Sequence, residues 1–305
     1  MPLMDSLTAL GVLGIVASGI AVVRESSWQV ATRAVRRRLG PPGPSGAVAG
    51  AESILLAADG PLAVLALHGF GDTPQSLGYL ALACHRRGWT VHVPLLPGHG
   101  HSLEAFAASS SDDWERGARQ ALRVLLSSHH RVAVVGQSMG AALGALVSAD
   151  EPRVAACAWL APLLSTTLVM ERVARLWWLA GLVKPVLRSR DSRSIHDPAE
   201  RARARGYGML PLRLFPELVR LVHRAVSVLP RVQAPTLVLQ SREDNRVRSA
   251  GTEAAFARLG SPVRDLRWVT GAGHVIAVDY GHEAVCEQVA DWIATFAVAP
   301  VVHSM

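Results

Sequence analysis

Residues 132–149 read VAVVGQSMGAALGALVSA. A short apolar run enters Gly136-Gln137-Ser138-Met139-Gly140, and a run of small residues leaves it. Residues of this kind predict a buried strand, a sharp turn and a helix, with Ser138 at the apex. The two glycines matter because such a strained turn needs positions free of a Cβ. The geometry carries the serine hydroxyl out to a helix N-terminus, where developing negative charge is favoured. Few arrangements hold a serine in this way, so both the architecture and the chemistry of the chain are narrowed at once.

The flanking segments extend the pattern. Apolar runs at 62–67, 90–93, 154–160, 236–240 and 263–269 alternate with helical stretches at 77–87, 113–127 and 283–296. Buried strands alternating with helices predict an α/β fold with a mainly parallel sheet covered on both faces. The alternation breaks between residues 163 and 230. That insert is rich in Leu, Val, Trp and Arg, shows no clear strand, and has helical periodicity at 170–183 and 216–229. It reads as a helical cap over the carboxyl ends of the strands, where open α/β sheets bind ligands.

The segment ahead of this unit differs in character. Residues 7–23 form a run of 17 without a charge. As a helix it would span about 25 Å, slightly less than a hydrocarbon core of about 30 Å. Arg24, Arg33, Arg36, Arg37 and Arg38 follow, against the single acid Glu25, and Trp28 sits where an interfacial aromatic would. Asp5 precedes the run, with no Lys or Arg, which is a poor match to a secretory signal. The expectation is a membrane anchor through residues 7–23 with the catalytic unit on the cytoplasmic side; export and a buried apolar start are the alternatives. Residues 40–50, GPPGPSGAVAG, read as a semi-stiff tether. The expected organisation is therefore an anchor and basic helix at 1–39, the tether at 40–50, an α/β unit at 51–299 with its insert at about 163–230, and a tail at 300–305.

The net charge of +7 is carried almost wholly by arginine, since Lys184 is the only lysine, and the arginines are scattered or in two local runs, 188–193 and 201–205. These read as solvated faces, with contact to anionic lipid headgroups as an alternative, and no nucleic-acid partner is expected. Cys84, Cys157 and Cys286 lie far apart, with neither metal-ligand nor disulfide spacing. No metal is expected.

A serine hydroxyl needs a base, and the base needs an orienting carboxylate. In this architecture the order along the chain is serine, acid, histidine. The strand at 236–240 leads into Ser241-Arg242-Glu243-Asp244-Asn245, and the strand ending at Val269 leads into Thr270-Gly271-Ala272-Gly273-His274. His274 is the expected base and Asp244 its orienter, with neighbouring Glu243 as the rival acid. The oxyanion donors are expected to be the backbone N–H groups of Met139, at the helix start, and Phe70, in the HGFG turn after the first strand. His68, His99 and His101 read as structural. Leu163, Leu164, Leu168, Val169, Met170, Leu176, Trp177 and Trp178 in the insert supply more apolar surface than a lone helix can hide. Of these, Leu163, Leu164, Trp177 and Trp178 are the leading candidates for a wall that takes an acyl chain.

The segments LHGFGDTPQSLGYLA, PLLPGHG, GQSMG and GHVIAVDYGHEAV together resemble the α/β-hydrolase superfamily, and within it the bacterial carboxylesterase and monoacylglycerol lipase group. The resemblance covers about residues 62–296. It implies an eight-stranded, mainly parallel sheet with helices on both faces, a small helical cap, no cofactor, and hydrolysis of carboxylic esters, including monoglycerides. It also implies that the triad is Ser138, Asp244 and His274 and that the oxyanion donors are Phe70 and Met139. The amino-terminal segment and the tether are additions to that pattern, and the insert does not align with it. The same triad could instead serve an amidase, peptidase or acyltransferase, or stand unused in a lipid-binding module of hydrolase fold. Oligomeric state is left open.

Overall fold

A computed structural model describes residues 2–189 and 193–297, with side chains from residue 15 onward. A central sheet of seven strands runs in the order β1 (Ile54–Leu56), β3 (Thr90–Val93), β2 (Leu62–Leu67), β4 (Arg131–Gln137), β5 (Val154–Leu160), β8 (Thr236–Ser241), β9 (Arg264–Val269). β1 is antiparallel to β3 and every other pairing is parallel. The resemblance implied eight strands, so the sheet is one short of it among the described residues.

Successive side chains on a strand point to opposite faces, and this divides the core. In β2, Leu65 and Leu67 belong to one buried cluster while Val64 and Ala66 belong to the other. The first cluster lies under α4 (Ser111–Ser128) and α5 (Met139–Ser148). The second lies under α2 (Gly78–His85) and α10 (His282–Ala297). A sheet covered on both faces needs apolar residues at every position of its inner strands. β2 and β5 are accordingly buried throughout.

The insert departs from its sequence reading in one respect. It contains a small hairpin, β6 (Val186–Arg188) antiparallel to β7 (Met209–Pro211), where no strand was expected. Three-residue strands are too short to show a periodicity, and their partners lie far apart in sequence. The remaining elements are α6 (Leu168–Ala180), α7 (Pro198–Arg203) and α8 (Phe215–Val228). α8 buries Leu218, Val219, Leu221, Val222 and Ala225 and packs on α5 and α6, whereas α6 has no fully buried residue and leaves Leu168, Val169 and Trp178 exposed. Part of the arginine run at 188–193, namely 190–192, and the tail at 300–305 lie outside the described residues.

The amino-terminal expectation is corrected. Residues 2–39 form a single helix, α1 (Pro2–Leu39), and among the described residues no helix is long and apolar enough to cross a membrane. The apolar run is short for a span and continues directly into Arg24 and Glu25. The later part of α1 joins the core of the α/β unit instead. Ala31, Val35 and Leu39, spaced four apart on one face, are buried, and α1 packs against α3 (Leu103–Ala108) and β6. Thr32 donates to Glu104 at 2.9 Å. The membrane anchor, and the cytoplasmic placement inferred from it, are withdrawn. Residues 40–50 also do not trail as a tether: Gly43 N–H donates to Ala47 O, Val48 N–H donates to Gly100 O, and Ala47 and Val48 are buried.

Candidate active site

The parallel registers align the carboxyl ends of the inner strands. Leu67 pairs with Gly136, Gln137 with Leu160, Leu160 with Leu239, and Ser241 with Val269. The turns that follow β2, β4, β8 and β9 therefore emerge along one edge, and these are the turns that hold Phe70, Ser138, Asp244 and His274.

Ser138 sits at φ 56° and ψ −114°, a conformation that few non-glycine residues adopt and one that surrounding structure must enforce. The close approach behind the turn shows why glycines flank it. A Cβ on Gly140 would stand 1.9 Å from Leu67 O, and one on Gly136 would stand 2.4 Å from Ala141 N. The turn is tied on by Ser138 N–H to Leu160 O at 2.9 Å and by Leu163 N–H to Ser138 O at 3.1 Å.

The Ser138 hydroxyl reaches His274 Nε2 at 2.9 Å, and His274 Nδ1 reaches Asp244 Oδ2 at 2.8 Å. A carboxylate only accepts, so Nδ1 carries the proton, and Nε2 is left to accept from Ser138 Oγ. Asp244 is itself held by Gln240 Nε2 on Oδ2 at 3.0 Å, and by the N–H groups of Arg246 and Val247 on Oδ1 at 2.7 and 2.9 Å. Burial works to raise the Asp244 carboxyl, yet the adjacent His274 ring and those two N–H groups outweigh it and hold the group below its ordinary value. Glu243 is turned away: its carboxylate accepts from Gly271 N–H at 2.9 Å and lies 3.7 Å from His196.

Phe70 follows the first inner strand and lines the cavity above Ser138, with its ring against Phe106 and Trp114. Met139 is the first residue of α5 and its side chain is fully buried. His68 is structural in its contacts: its Nδ1–H donates to Gly69 O at 3.0 Å and its Nε2 accepts from Leu96 N–H at 3.1 Å.

The cavity measures about 460 Å³ and is bounded by Ser138, His274 and the insert. Of the four expected wall residues it takes only Leu163. Leu164 is buried in the core beside it, Trp177 is half-buried, and Trp178 is exposed. Val169 and Met170, from the wider apolar set named from sequence, do line it, and Leu210, Phe215 and Leu218 complete the apolar wall. Arg38 of α1 also lines it, a contribution hidden by reading the basic run as a membrane flank. Two supporting residues were not singled out from sequence. Gln137, inside the serine motif, donates to His274 O at 3.0 Å, and Asp279, five residues beyond His274, accepts from Gly273 N–H at 2.7 Å.

The chain is similar to known proteins over most of its length. Residues 61–280, well over half the chain, match the family described as serine aminopeptidase, S33 (Hydrolase_4). A thermostable monoacylglycerol lipase of Bacillus sp. (strain H-257) is 26% identical over 241 residues, 79% of this chain and 94% of that protein. A carboxylesterase of Bacillus subtilis (strain 168) is 21% identical over 236 residues, 77% of this chain and 93% of that one. Among solved structures, one from work on the metagenome-derived lipolytic enzymes LipS and LipT superposes with a TM-score of 0.73 at 27% identity, covering 82% of this chain and 99% of its own. The monoacylglycerol lipase of Paleococcus ferrophilus shares the fold, with a TM-score of 0.68 at 19% identity, covering 80% and 98%. A serine held at a strained strand-to-helix turn, within the span that the family match covers, assigns the chain: it belongs to the serine aminopeptidase S33 family of α/β-hydrolases and is a serine hydrolase of the lipase/esterase type.

Proposed function

We propose that the chain hydrolyses carboxylic esters of acyl chains, monoacylglycerols among them, with Ser138 as nucleophile, His274 as base and then acid, and Asp244 as orienter. Ser138 Oγ attacks the ester carbonyl as its proton passes to His274 Nε2. The backbone N–H groups of Phe70 and Met139 receive the oxyanion. Collapse breaks the bond to the alcohol, which leaves with the proton from His274, and an acyl-enzyme remains. Water then gives a proton to His274 and attacks the acyl carbon, and the carboxylic acid departs as Ser138 regains its proton.

The observation that carries this proposal is the unbroken hydrogen-bonded path from Ser138 through His274 to Asp244 at the floor of a cavity with an apolar wall. Apolar lining favours an acyl chain. The insert at 163–230 supplies Met170, Phe215 and Leu218 to that wall and is proposed to set the chain length accepted. The relative named as a monoacylglycerol lipase supports the alcohol half.

The family description favours a second reading, release of an amino-terminal residue from a peptide. A free ammonium group needs a carboxylate to receive it. Among the described residues, two carboxylates line the cavity, Asp72 and Glu200. Glu200 is engaged with Arg203 at 2.9 Å and with the Tyr79 hydroxyl at 3.0 Å, which makes it a poor receptor, so the peptide reading would need Asp72. The test is a panel of p-nitrophenyl esters and monoacylglycerols of increasing chain length beside aminoacyl amides, with Ser138→Ala as control. Ester turnover is expected, with a loss of about 10⁶-fold in the variant. Amide turnover exceeding that of every ester, or a variant that keeps more than a few per cent of activity, would overturn the proposal.

A further inference from the structure

The loop that carries His274 is fastened to the insert as well as to the sheet edge. Val275 N–H donates to Ser194 O at 2.9 Å, and the His196 ring bonds Gly271 O at 3.1 Å. Gly273 packs so closely on the same strip that a Cβ there would stand 2.8 Å from Arg193 O and Ser194 O. At the centre of this seam is the Asp279 carboxylate, which is completely buried. Oδ2 accepts from Gly273 N–H at 2.7 Å and from His196 N–H at 2.8 Å. Oδ1 accepts from the N–H groups of Asp197 and Tyr280, both at 2.9 Å. Four backbone donors converge on one anion, from the peptide just before His274, from the insert, and from its own turn.

A buried carboxylate is costly unless its lone pairs are filled, and charge-assisted bonds of this kind are short and directional. Burial acts to raise the Asp279 carboxyl, and the four N–H groups outweigh it and leave the group lowered and ionised. Asp279 is the acceptor shared by the histidine loop and the insert. From the sheet side the loop is also tied by Gln137 to His274 O, by Ser241 Oγ to Ala272 O and by Gly271 N–H to Glu243, but the Gly273 N–H is taken by Asp279.

We propose that Asp279 is a positioning residue for His274, its carboxylate locking the loop at 271–275 to the insert at 194–197 so that the imidazole meets Ser138. The inference rests on His274 being the base, as proposed above. It implies that the insert helps set the geometry of catalysis as well as the shape of the cavity. A displacement of about 1 Å in such a group costs on the order of 10² in rate.

The test uses the full chain with Asp279→Asn, which keeps the shape and removes the charge and one acceptor. With a short p-nitrophenyl ester, kcat is expected to fall about 10- to 100-fold while KM stays within about twofold. Labelling of Ser138 by a fluorophosphonate separates positioning from partial unfolding. A displaced histidine slows the rate at which the whole population labels, whereas partial unfolding lowers the amplitude and leaves the rate of the remainder unchanged. Asp279→Glu retains the anion on a longer arm and serves if the amide variant does not fold; it is expected to show the same loss in kcat. A folded variant with kcat within twofold of the parent, a fall in amplitude alone, or failure of both variants to fold would overturn the inference. His274→Ala is the control for the underlying mechanism. If that variant stays active, the base is misassigned whatever Asp279 does; if it is inactive while both Asp279 variants are normal, only the positioning role fails.

Discussion

His68 lies under the turn that carries Phe70 and offers a quantitative test of the fold around the site. It is completely buried, and desolvation lowers its pKa from 6.5 to about 4 despite the bond to Gly69 O. In the unfolded chain it protonates near 6.5. Between these values the unfolded state binds the extra proton, so stability is fully present above pH 6.5 and is lost as pH falls toward 4. Each pH unit costs about 1.4 kcal/mol per proton, so at pH 4.5 this one group removes about 2.5 kcal/mol. Its neighbour His99, with ring centroids 5.0 Å apart, is also lowered by burial and by the nearness of His68, and acts in the same direction. Urea unfolding at pH 7.5, 6.5, 5.5 and 4.5 measures the slope. His68→Gln keeps an acceptor for Leu96 N–H and cannot protonate. Its loss of stability between pH 7.5 and 4.5 should be smaller than that of the parent by about 2.5 kcal/mol. Equal losses in the two proteins would refute the idea that His68 is held neutral by burial.

Further expectations concern the acid and the amino-terminal helix. Asp244→Asn, which presents an amide to Nδ1 and favours the wrong tautomer, should lower kcat by about 10⁴-fold. Glu243→Gln should stay within a few-fold of the parent in the same assay, and similar losses in the two would mean the acid is misassigned. Leu39→Ala should cost about 2–5 kcal/mol in urea unfolding because Leu39 is only 5% exposed at the end of α1. A change below about 0.5 kcal/mol is what a surface substitution gives, and it would mean that α1 does not pack on the core.

The six parallel strands and the main helices were legible because apolar runs and periodicity report them directly, whereas β1, a three-residue strand at the antiparallel edge, was not. The site was legible where chemistry is written into local motifs: the glycines around Ser138, and the loops after β8 and β9. What escaped notice depends on contacts between distant segments. β6 and β7 are three residues each and exist only by pairing with one another. Trp177 and Trp178 look like a wall from their chemistry, but α6 turns Trp178 outward, and Leu210, Phe215 and Leu218, not named from sequence, line the cavity. The run at 7–23 resembles a span when read alone. The buried face of Ala31, Val35 and Leu39 is masked by the arginines between them, whose charge dominates the composition. Asp279 gives no local signal of its role, since three of its four donors come from other turns.

The central claim is that Ser138 is a nucleophile activated by His274. Treating the native protein with a fluorophosphonate and mapping the adduct by peptide mass spectrometry tests it directly. A single phosphonylated residue is expected, Ser138, with modification lost in folded His274→Ala. An adduct on another serine, or undiminished labelling of Ser138 without the imidazole, would contradict the account.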